Sequence, residues 1–428
     1  MSDAPAKDWL RLDNAAKIYP ASHDDATPAV FRISVTLREP IRAREIQEAL
    51  DALVERVPYY RVHLKRGFFW YYLQRHSNRI RVRPIPRHSL TEILLRRRDE
   101  QLLHVYAKRG TVAVDFSHVL TDGYGGMRFV ASLIVEYLRR LGEPVAPGPH
   151  LMDPREPVPP AEYEDAFQAL YRQDVPKASN LEPAYHIGGI PSITGYRTMT
   201  GRTSVSPALE TARRYGVTLT VYLVAAYMNA IKQVHDQQSS GMIAPRRTII
   251  RIEVPVNLRR MHPSPTMRNF SLFVSPEIDL RLGEWTFDRI VRRVHHEMSI
   301  QLDPAELARQ ISRNVGGERS TFVRVVPRVL KDAYLGHVRR TIGDRSYSGV
   351  VSNLGRFTLP DELEPHVESV GILLGPNTAY KTGCAVVSYG DELSITLGSV
   401  IQNRTVEREF FRRLVADGLR VVVSEHVP

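Results

Sequence analysis

One short stretch of the chain combines a side chain that can do acid–base chemistry with residues that let a ligand come close. It runs from Asp115 to Gly126 and contains His118, Asp122 and Gly123. Histidine has an ordinary pKa near neutrality, so a positioned imidazole can accept a proton at working pH. Glycine lacks a Cβ atom, which permits a sharp turn and a close approach to the backbone. His118 is therefore a candidate general base.

The residues before His118 predict the element that would position it. Val112, Val114 and Phe116 alternate as in a strand, and the same alternation places His118 at the end of their apolar row. A second interpretation is that His118 is an ordinary structural residue and that Asp122 only caps the helix that follows. The residue types alone leave both interpretations open.

The first part of the chain predicts a mixture of strands and helices. Elements are expected at Phe31–Leu37 (strand), Ile46–Val57 (helix), Tyr59–Leu64 and Phe68–Leu73 (strands), Thr111–Phe116 (strand) and from Met127 to Gly142 (helix). The passage from Glu143 to Pro160 then holds seven prolines in eighteen residues. Proline breaks regular structure, so we place a crossover there, with an N-terminal half at 1–160 and a C-terminal half at 161–428.

The second part of the chain repeats the mixture. Helices are expected at Leu219–Val234, Thr286–Leu302, Val325–Arg340 and Glu407–Leu419, the last of which closes the chain. Strands are expected at Thr248–Val256, Phe270–Ile278, Tyr347–Ser352, Cys384–Tyr389 and Glu392–Leu397. Gly390 and Asp391 separate the last two strands, a two-residue hairpin signal.

Composition narrows the class of protein. The chain has 428 residues, of which 43% are hydrophobic and 25% charged, which fits two large globular domains and excludes a disordered chain, a collagen or a coiled-coil rod. The single cysteine, Cys384, excludes a disulfide framework and a zinc ribbon, fits a reducing compartment, and is expected to be a buried structural thiol.

Charge and hydropathy bear on partners and location. Lys and Arg number 58 against 47 Asp and Glu, a net charge of +11, which favours anionic ligands or surfaces without choosing among them. The basic residues are scattered, and the run Arg96–Arg98 is expected on a solvated helix face, so no nucleic-acid platform is predicted. The first residues lack a secretory signal and the longest apolar stretch, Leu219–Ile231, is too short to span a bilayer. We expect a cytoplasmic protein with no transmembrane segment.

Four stretches together resemble a known superfamily. The His-x-x-x-Asp-Gly pattern from His118 to Gly123 is similar to the active-site motif of the chloramphenicol-acetyltransferase-like acyltransferases, which include peptide-synthetase condensation domains and polyketide-associated acyltransferases. Val254–Arg259, followed by Asn269 and Phe270, is similar to their Pro-Val-x-x-Arg segment, and Val351–Arg356 to their Ser-Asn-x-Gly strand end. Trp9–Ala15 resembles the opening of bacterial alcohol acetyltransferases, and the four stretches follow the superfamily's order over most of the chain.

The resemblance implies a fold and an activity. The fold would be α/β, with two sandwich halves and an active-site tunnel between them. The activity would be transfer of an acyl group to an alcohol from acyl-CoA or from acyl-phosphopantetheine on a carrier protein. His118 Nε2 would be the general base, with no metal, no permanently bound cofactor and no covalent acyl-enzyme. Because the two halves of one chain would complete the tunnel, a monomer is expected.

The resemblance also implies roles for residues around His118. Asp122 would be structural and would pair with Arg259, although Arg259 read alone could be an ordinary surface arginine. Gly123 would leave room for the substrates. Asn353 is a candidate donor to the oxyanion, against the alternative that it satisfies a turn at the strand end. Asn257 lies in the matching second segment.

Further residues are assigned on the same basis. Tyr124, directly after the motif, is a candidate supporting or substrate-binding residue. Arg260, Arg268 and Arg356, with Arg259, are candidates to meet the phosphates of coenzyme A.

Departures from the superfamily's patterns keep alternatives open. Ser117 stands where condensation domains usually carry a second histidine, which argues against amide formation without excluding it. No Asp-Phe-Gly-Trp-Gly segment is present, which argues against a plant-type enzyme. The alternatives are a freestanding condensation-like enzyme that forms amides and a non-catalytic relative that docks carrier proteins.

Overall fold

The computed structural model of the protein describes most of the chain. The described residues are 9–22, 27–86, 90, 93–95, 97, 99–145, 148, 151–176, 181–193, 195–239, 245–319, 321–338, 343 and 345–426. Two residues of the predicted basic helix face, Arg96 and Arg98, and part of the proline-rich passage lie outside them. No described helix is both long enough and apolar enough to cross a membrane.

Within the described residues, ten strands and α-helices precede the proline-rich passage. They are β1 (Trp9–Arg11), α1 (Tyr19–Ser22), β2 (Val30–Leu37), α2 (Ala43–Arg56), β3 (Val62–Arg66), β4 (Tyr71–Arg75), β5 (Val82–Arg83), β6 (Leu103–Lys108), β7 (Thr111–Ser117) and α3 (Gly123–Arg140). The predicted strands at β2 and β7 and the helix at α2 are confirmed. The helix α3 begins four residues before its predicted start at Met127, because Asp122 caps it.

The remaining sixteen elements follow the passage. The first eight are β8 (Arg197–Ser204), α4 (Val205–Arg214), α5 (Leu219–Ser239), β9 (Ile249–Asn257), β10 (Ser271–Val274), β11 (Glu277–Asp279), α6 (Phe287–Gln301) and α7 (Pro304–Arg319). The last eight are α8 (Thr321–Val325), α9 (Arg328–Val338), β12 (Gly349–Arg356), β13 (Val367–Leu374), β14 (Thr382–Tyr389), β15 (Glu392–Ser399), α10 (Thr405–Ala416) and β16 (Val422–His426).

The strands form two large sheets and one small one. The first sheet has the order β13-β2-β7-β6-β5 and the second has β10-β9-β12-β14-β15-β8-β16, while β1, β4 and β3 form a separate three-stranded sheet. The first sheet shares one buried core with α2 and α3, and the second sheet shares another with α5 and α10. Two α/β lobes result, which confirms the predicted fold class.

One strand from the second half of the chain belongs to the sheet of the first lobe. Strand β13 comes from the second half of the chain but pairs antiparallel with β2 of the first sheet, with Val370 opposite Val35. Its apolar residues Val370 and Ile372 lie in the core of the first lobe. A cut at residue 160 therefore leaves one strand of the first sheet in the C-terminal half.

Other predicted elements also differ from the structure. β3 and β4 begin at Val62 and Tyr71, three residues after their predicted starts, and two further elements differ because of proline. The strand expected over Phe270–Ile278 is divided into β10 and β11 around Pro276, and the helix expected over Val325–Arg340 begins only at Arg328, after Pro327. Proline supplies no backbone N–H and disfavours continuation of either element. The helix predicted over Glu407–Leu419 is present as α10, but it is not the last element, because β16 follows it and pairs with β8.

The hairpin expected at Gly390 is confirmed. Tyr389 and Glu392 are opposite each other at the end of the β14–β15 ladder, and Gly390 adopts a positive φ of 53°. That conformation suits glycine because a Cβ atom would be strained there.

Candidate active site

His118 follows the last residue of β7 and is held by both lobes. Its backbone N–H donates to the carbonyl of Ala29 at 2.7 Å, within the first lobe. Its own carbonyl accepts from the side-chain amide of Asn269, in the second lobe, at 2.9 Å. The backbone that carries the imidazole is therefore fixed where the two lobes meet.

The imidazole of His118 lies between two aromatic rings. The Tyr19 ring stacks on it at 5.4 Å between centroids and the Phe31 ring packs at 4.7 Å. Burial lowers the pKa of His118 from its ordinary 6.5 to about 4, and the opposing effects of the Asp122 carboxylate and the Thr121 backbone offset this only in part. At neutral pH the ring is therefore uncharged, and His118 as a residue is not fully buried.

Asp122 makes two kinds of contact, one with the helix that follows it and one with the second lobe. One carboxylate oxygen caps α3 by accepting from the Gly125 N–H at 3.0 Å. The other accepts from Arg259 Nη1 at 2.7 Å and from the Phe270 N–H at 2.8 Å. The carboxylate thus ties the loop after His118 to the second lobe.

Arg259 is buried, so the surface-arginine interpretation is wrong. Its Nε donates to the carbonyl of Thr266 at 3.0 Å and its Nη2 donates to the carbonyl of Arg268 at 2.6 Å. Asn257 Oδ1 accepts from the Arg259 backbone N–H at 3.0 Å, and the Tyr124 ring lies 4.6 Å from the guanidinium carbon. Asn257 and Tyr124 therefore contact Arg259, which in turn holds Asp122.

Two glycines in the motif allow close contact between the lobes. A Cβ atom on Gly123 would lie 2.3 Å from Cδ2 of Leu354, which projects from β12. A Cβ on Gly125 would lie 2.6 Å from the Met267 carbonyl oxygen and 2.8 Å from Tyr60 Oη. The space beside Gly123 is thus taken by a leucine side chain, and the backbone at Gly125 approaches another backbone too closely for any larger residue.

Asn353 is engaged in a turn at the end of β12. Its Nδ2 donates to Thr220 Oγ1 at 3.0 Å, and its Oδ1 accepts from the Gly355 N–H at 2.9 Å. Gly355 has a φ of 78°, as expected for a residue that reverses the chain. The geometry favours the turn interpretation over the role of oxyanion donor.

Two of the four arginines expected to meet phosphates are buried and lie next to carboxylates of the protein instead. Arg259 pairs with Asp122, and Arg268 is only 5% exposed, with its Nε 3.4 Å from Asp13. Arg260 and Arg356 are exposed. The Arg260 Nη2 lies 3.7 Å from the place where a Gly355 Cβ would be, so these two cations share the surface at the end of β12.

Several residues near His118 were not predicted as site residues. Tyr19 had no signal in the sequence, and Phe31 was expected only as part of a strand. Glu253 lies opposite Val350 in the sheet, and its charge contributes to raising the pKa of Tyr19, of Tyr347 and of Tyr380. The Glu253 carboxylate therefore acts on the tyrosine that stacks on His118.

Other groups that could do chemistry lie apart from His118. Cys384 is fully buried, as predicted, and burial raises the pKa of its thiol. Within the described ranges, no group of three or more His, Cys, Asp or Glu side chains is placed to hold a metal ion.

Comparison with solved structures identifies the fold. No model of a protein family matches the sequence, and no curated protein matches it. Polyketide synthase associated protein 5 from Mycobacterium tuberculosis is 16% identical, with a TM-score of 0.63 over 96% of this chain and 97% of that one. The protein therefore shares the two-lobed α/β fold of this structure.

Two further solved structures share this fold. Fusarium graminearum TRI101, solved with coenzyme A and deoxynivalenol, is 12% identical, with a TM-score of 0.60 over 96% of this chain and 99% of that one. The condensation domain of the monacolin K polyketide synthase MokA is 12% identical, with a TM-score of 0.55 over 96% of each chain. The resemblance seen in the four sequence stretches is confirmed at the level of the superfamily's fold.

Proposed function

We propose that the protein transfers an acyl group from a thioester to an alcohol, with His118 as the general base. The observation that carries the proposal is a neutral imidazole where the two lobes meet, on a residue that is not fully buried and whose backbone is held by both lobes. An uncharged ring can accept a proton, which a histidine already protonated at working pH cannot do.

The proposed reaction is a direct transfer. The hydroxyl oxygen of the acceptor attacks the thioester carbonyl carbon while the His118 imidazole takes the hydroxyl proton. The C–S bond then breaks, the ester forms, and the imidazolium returns the proton to the departing thiolate. The Asp122 carboxylate favours the imidazolium, since its charge acts to raise the pKa of His118.

The donor would be acyl-CoA or an acyl-phosphopantetheine on a carrier protein. Arg260 and Arg356 are the candidates to meet its phosphates, because both are exposed at the end of β12, the strand that brings Leu354 to Gly123. The neighbour TRI101 was solved with coenzyme A, which supports this choice of cosubstrate. One chain supplies Asn269, Arg259 and the motif, so the proposed unit is a monomer.

The alcohol is preferred over the amine because only one histidine is present in the motif. Ser117 is fully buried, and its hydroxyl accepts from the Val119 N–H at 3.2 Å, so it offers no second base beside His118. The amide-forming alternative and the non-catalytic carrier-docking alternative are separated from this proposal by product analysis.

A thiol-release assay across acyl-CoA chain lengths, with a panel of alcohols and amines, tests the proposal. We expect acceptor-dependent release of free thiol with alcohols, and an ester in the product when it is examined by mass spectrometry. An amide as the main product would support the condensation-like alternative. Absence of thiol release with every CoA and carrier-bound donor would support the non-catalytic one.

The acid limb of the pH–rate profile is expected at about pH 4 and not at 6.5. The pKa of His118 is lowered to about 4, so kcat/KM should hold as pH falls below 6.5 and decline only near 4. A Tyr19→Ala variant exposes the ring to water and should move the limb upward towards 6.5. A wild-type limb already at 6.5 would contradict this environment for the imidazole.

A further inference from the structure

A cluster of large apolar side chains is exposed on one side of the molecule. Phe68 and Phe69, at the turn between β3 and β4, are 73% and 43% exposed and pack against each other at 4.8 Å. Val325, at the end of α8, and residues of α9 continue the cluster. The exposed fractions of these four are 61% for Val325, 65% for Val329, 61% for Leu330 and 67% for Tyr334. We call these six residues the apolar surface.

The apolar surface is held together by hydrogen bonds between the hairpin and α9. The Arg328 N–H donates to the carbonyl of Phe68 at 2.9 Å, and Arg328 Nε donates to the carbonyl of Gly67 at 3.1 Å. Lys331 Nζ donates to the carbonyl of Phe69 at 3.0 Å. The two elements therefore present one preformed surface.

Exposure on this scale requires an explanation. Single exposed apolar residues are normal on a protein surface, but a contiguous cluster of aromatic and branched side chains marks an interaction site. Five of the six residues are more than 60% exposed, namely Phe68, Val325, Val329, Leu330 and Tyr334, although core positions elsewhere bury such residues.

The charges around the apolar surface are predominantly positive. Arg66 precedes the hairpin turn and Arg324 precedes Val325, and both are exposed. Lys331 is only 9% exposed, and its ammonium lies 3.4 Å from the centre of the Trp70 ring, so Arg66 and Arg324 are the cations that face solvent here. The nearby acid, Asp332, is neutralised by its ion pair with Arg328.

A cavity of about 670 Å³ adjoins the apolar surface. It lies between the three-stranded sheet and the helices α7 and α8, and Trp9, Arg11, Trp70, Tyr72 and Arg324 are among its lining residues. The walls are mostly aromatic, with Arg11 and Arg324 as cations and with Glu318, which pairs with Lys17, as an acid.

We propose that the apolar surface docks the protein on an anionic phospholipid membrane. Phe68, Phe69 and the exposed face of α9 enter the headgroup region, while Arg66 and Arg324 meet the lipid phosphates. Apolar side chains flanked by arginine and lysine are the combination that binds membrane interfaces, because apolar burial and attraction to anionic lipid add. A binding site for an acidic carrier protein would need the charges but not six exposed apolar residues.

Vesicle co-sedimentation tests the docking surface with the full-length protein. The probes are phosphatidylcholine vesicles with and without phosphatidylglycerol. We expect binding to the anionic vesicles that weakens as salt is raised from about 0.1 M to about 1 M. The Phe68→Ser/Phe69→Ser variant should bind about tenfold or more weakly, since it loses two aromatic side chains at the interface.

The control variant is Ile193→Ser, which removes another exposed apolar side chain, 92% exposed and outside the apolar surface. It should bind like the wild type, and thermal melting of all variants checks that they are folded. Equal binding to neutral and anionic vesicles, or equal binding by the double variant, would overturn the proposal. So would a dimer or a carrier-protein complex that depends on Phe68 and Phe69 while vesicles are not bound.

Discussion

Replacing His118 by alanine is expected to lower kcat for acyl transfer by a factor of about 10² to 10⁴. A general base acts on the proton only as the acceptor attacks, so KM should change little. The ring lies between Tyr19 and Phe31 and makes no buried ion pair, so its removal should leave a small cavity but a folded protein. Thiol release under saturating substrate measures the effect.

A second histidine serves as the matched control for this variant. His235 on α5 is 7% exposed and packs against Tyr185 at 4.9 Å, in the second lobe. A His235→Ala change should reduce stability and leave kcat near the wild-type value. If His118→Ala retained kcat within about twofold of wild type, the assignment of the general base would be wrong.

Added imidazole distinguishes a chemical role from a structural one. The His118→Ala variant should recover part of its rate when imidazole in the buffer fills the vacated space and accepts the proton. A residue that only supported packing would show no such dependence on the basicity of the added molecule. A series of substituted imidazoles therefore measures whether proton transfer is the function that was lost.

Replacing Arg259 by methionine is expected to lower the free energy of unfolding by about 3 to 5 kcal/mol. The change leaves the buried Asp122 carboxylate without its cation, although the Gly125 and Phe270 N–H groups still donate to it. It also removes the donors to the carbonyls of Thr266 and Arg268. Urea denaturation, followed by circular dichroism, measures the loss.

An exposed ion pair provides the comparison for Arg259→Met. Arg44 pairs with Glu48 on α2 and its side chain is 85% exposed, so water and salt screen the pair and Arg44→Met should leave the free energy of unfolding nearly unchanged. A double variant with Asp122→Asn should be less destabilised than the sum of the single variants, because removing both charges leaves no uncompensated ion. Additive effects of the two changes would show that the pair is not coupled.

Because Asp122 pairs with Arg259, variants of Arg259 should lose activity even under conditions in which they remain folded. The loop after His118 is held to the second lobe through Asp122, so its release should displace the imidazole. Arg259→Lys keeps the charge but not the several directed hydrogen bonds, and we expect an intermediate kcat. Unchanged kcat in Arg259→Met at a temperature where it is folded would show that the network does not position His118.

The sequence alone was sufficient for the elements that carry the site. Alternation of Val112, Val114 and Phe116 predicted β7 and put His118 at its end, because side chains of a half-buried strand repeat every second residue. The order of the four stretches indicated the superfamily, and the fold agrees. These features depend on local patterns of residues, so the sequence alone is enough to predict them.

Hydrophobic periodicity did not predict where proline interrupts an element. Pro276 and Pro327 interrupt elements whose apolar periodicity continues past them, and β16 is too short to be distinguished from a loop by periodicity. The sequence also could not predict that β13 belongs to the first sheet. Alternation of apolar residues indicates that a segment is a strand, but it does not indicate which strand it pairs with.

The environment of the candidate site was decided only by the tertiary structure. The sequence named His118, Asp122 and Arg259, but it could not show that Tyr19 and Phe31 enclose the ring or that Asn353 is used in a turn. Those contacts join residues far apart in the chain, and the burial that lowers the pKa of His118 exists only once the lobes have packed. The sequence thus determined which residue types are available at the site. The protonation state of His118, and whether the Asn353 side chain is free to bind a ligand, depend on distances that only the fold sets.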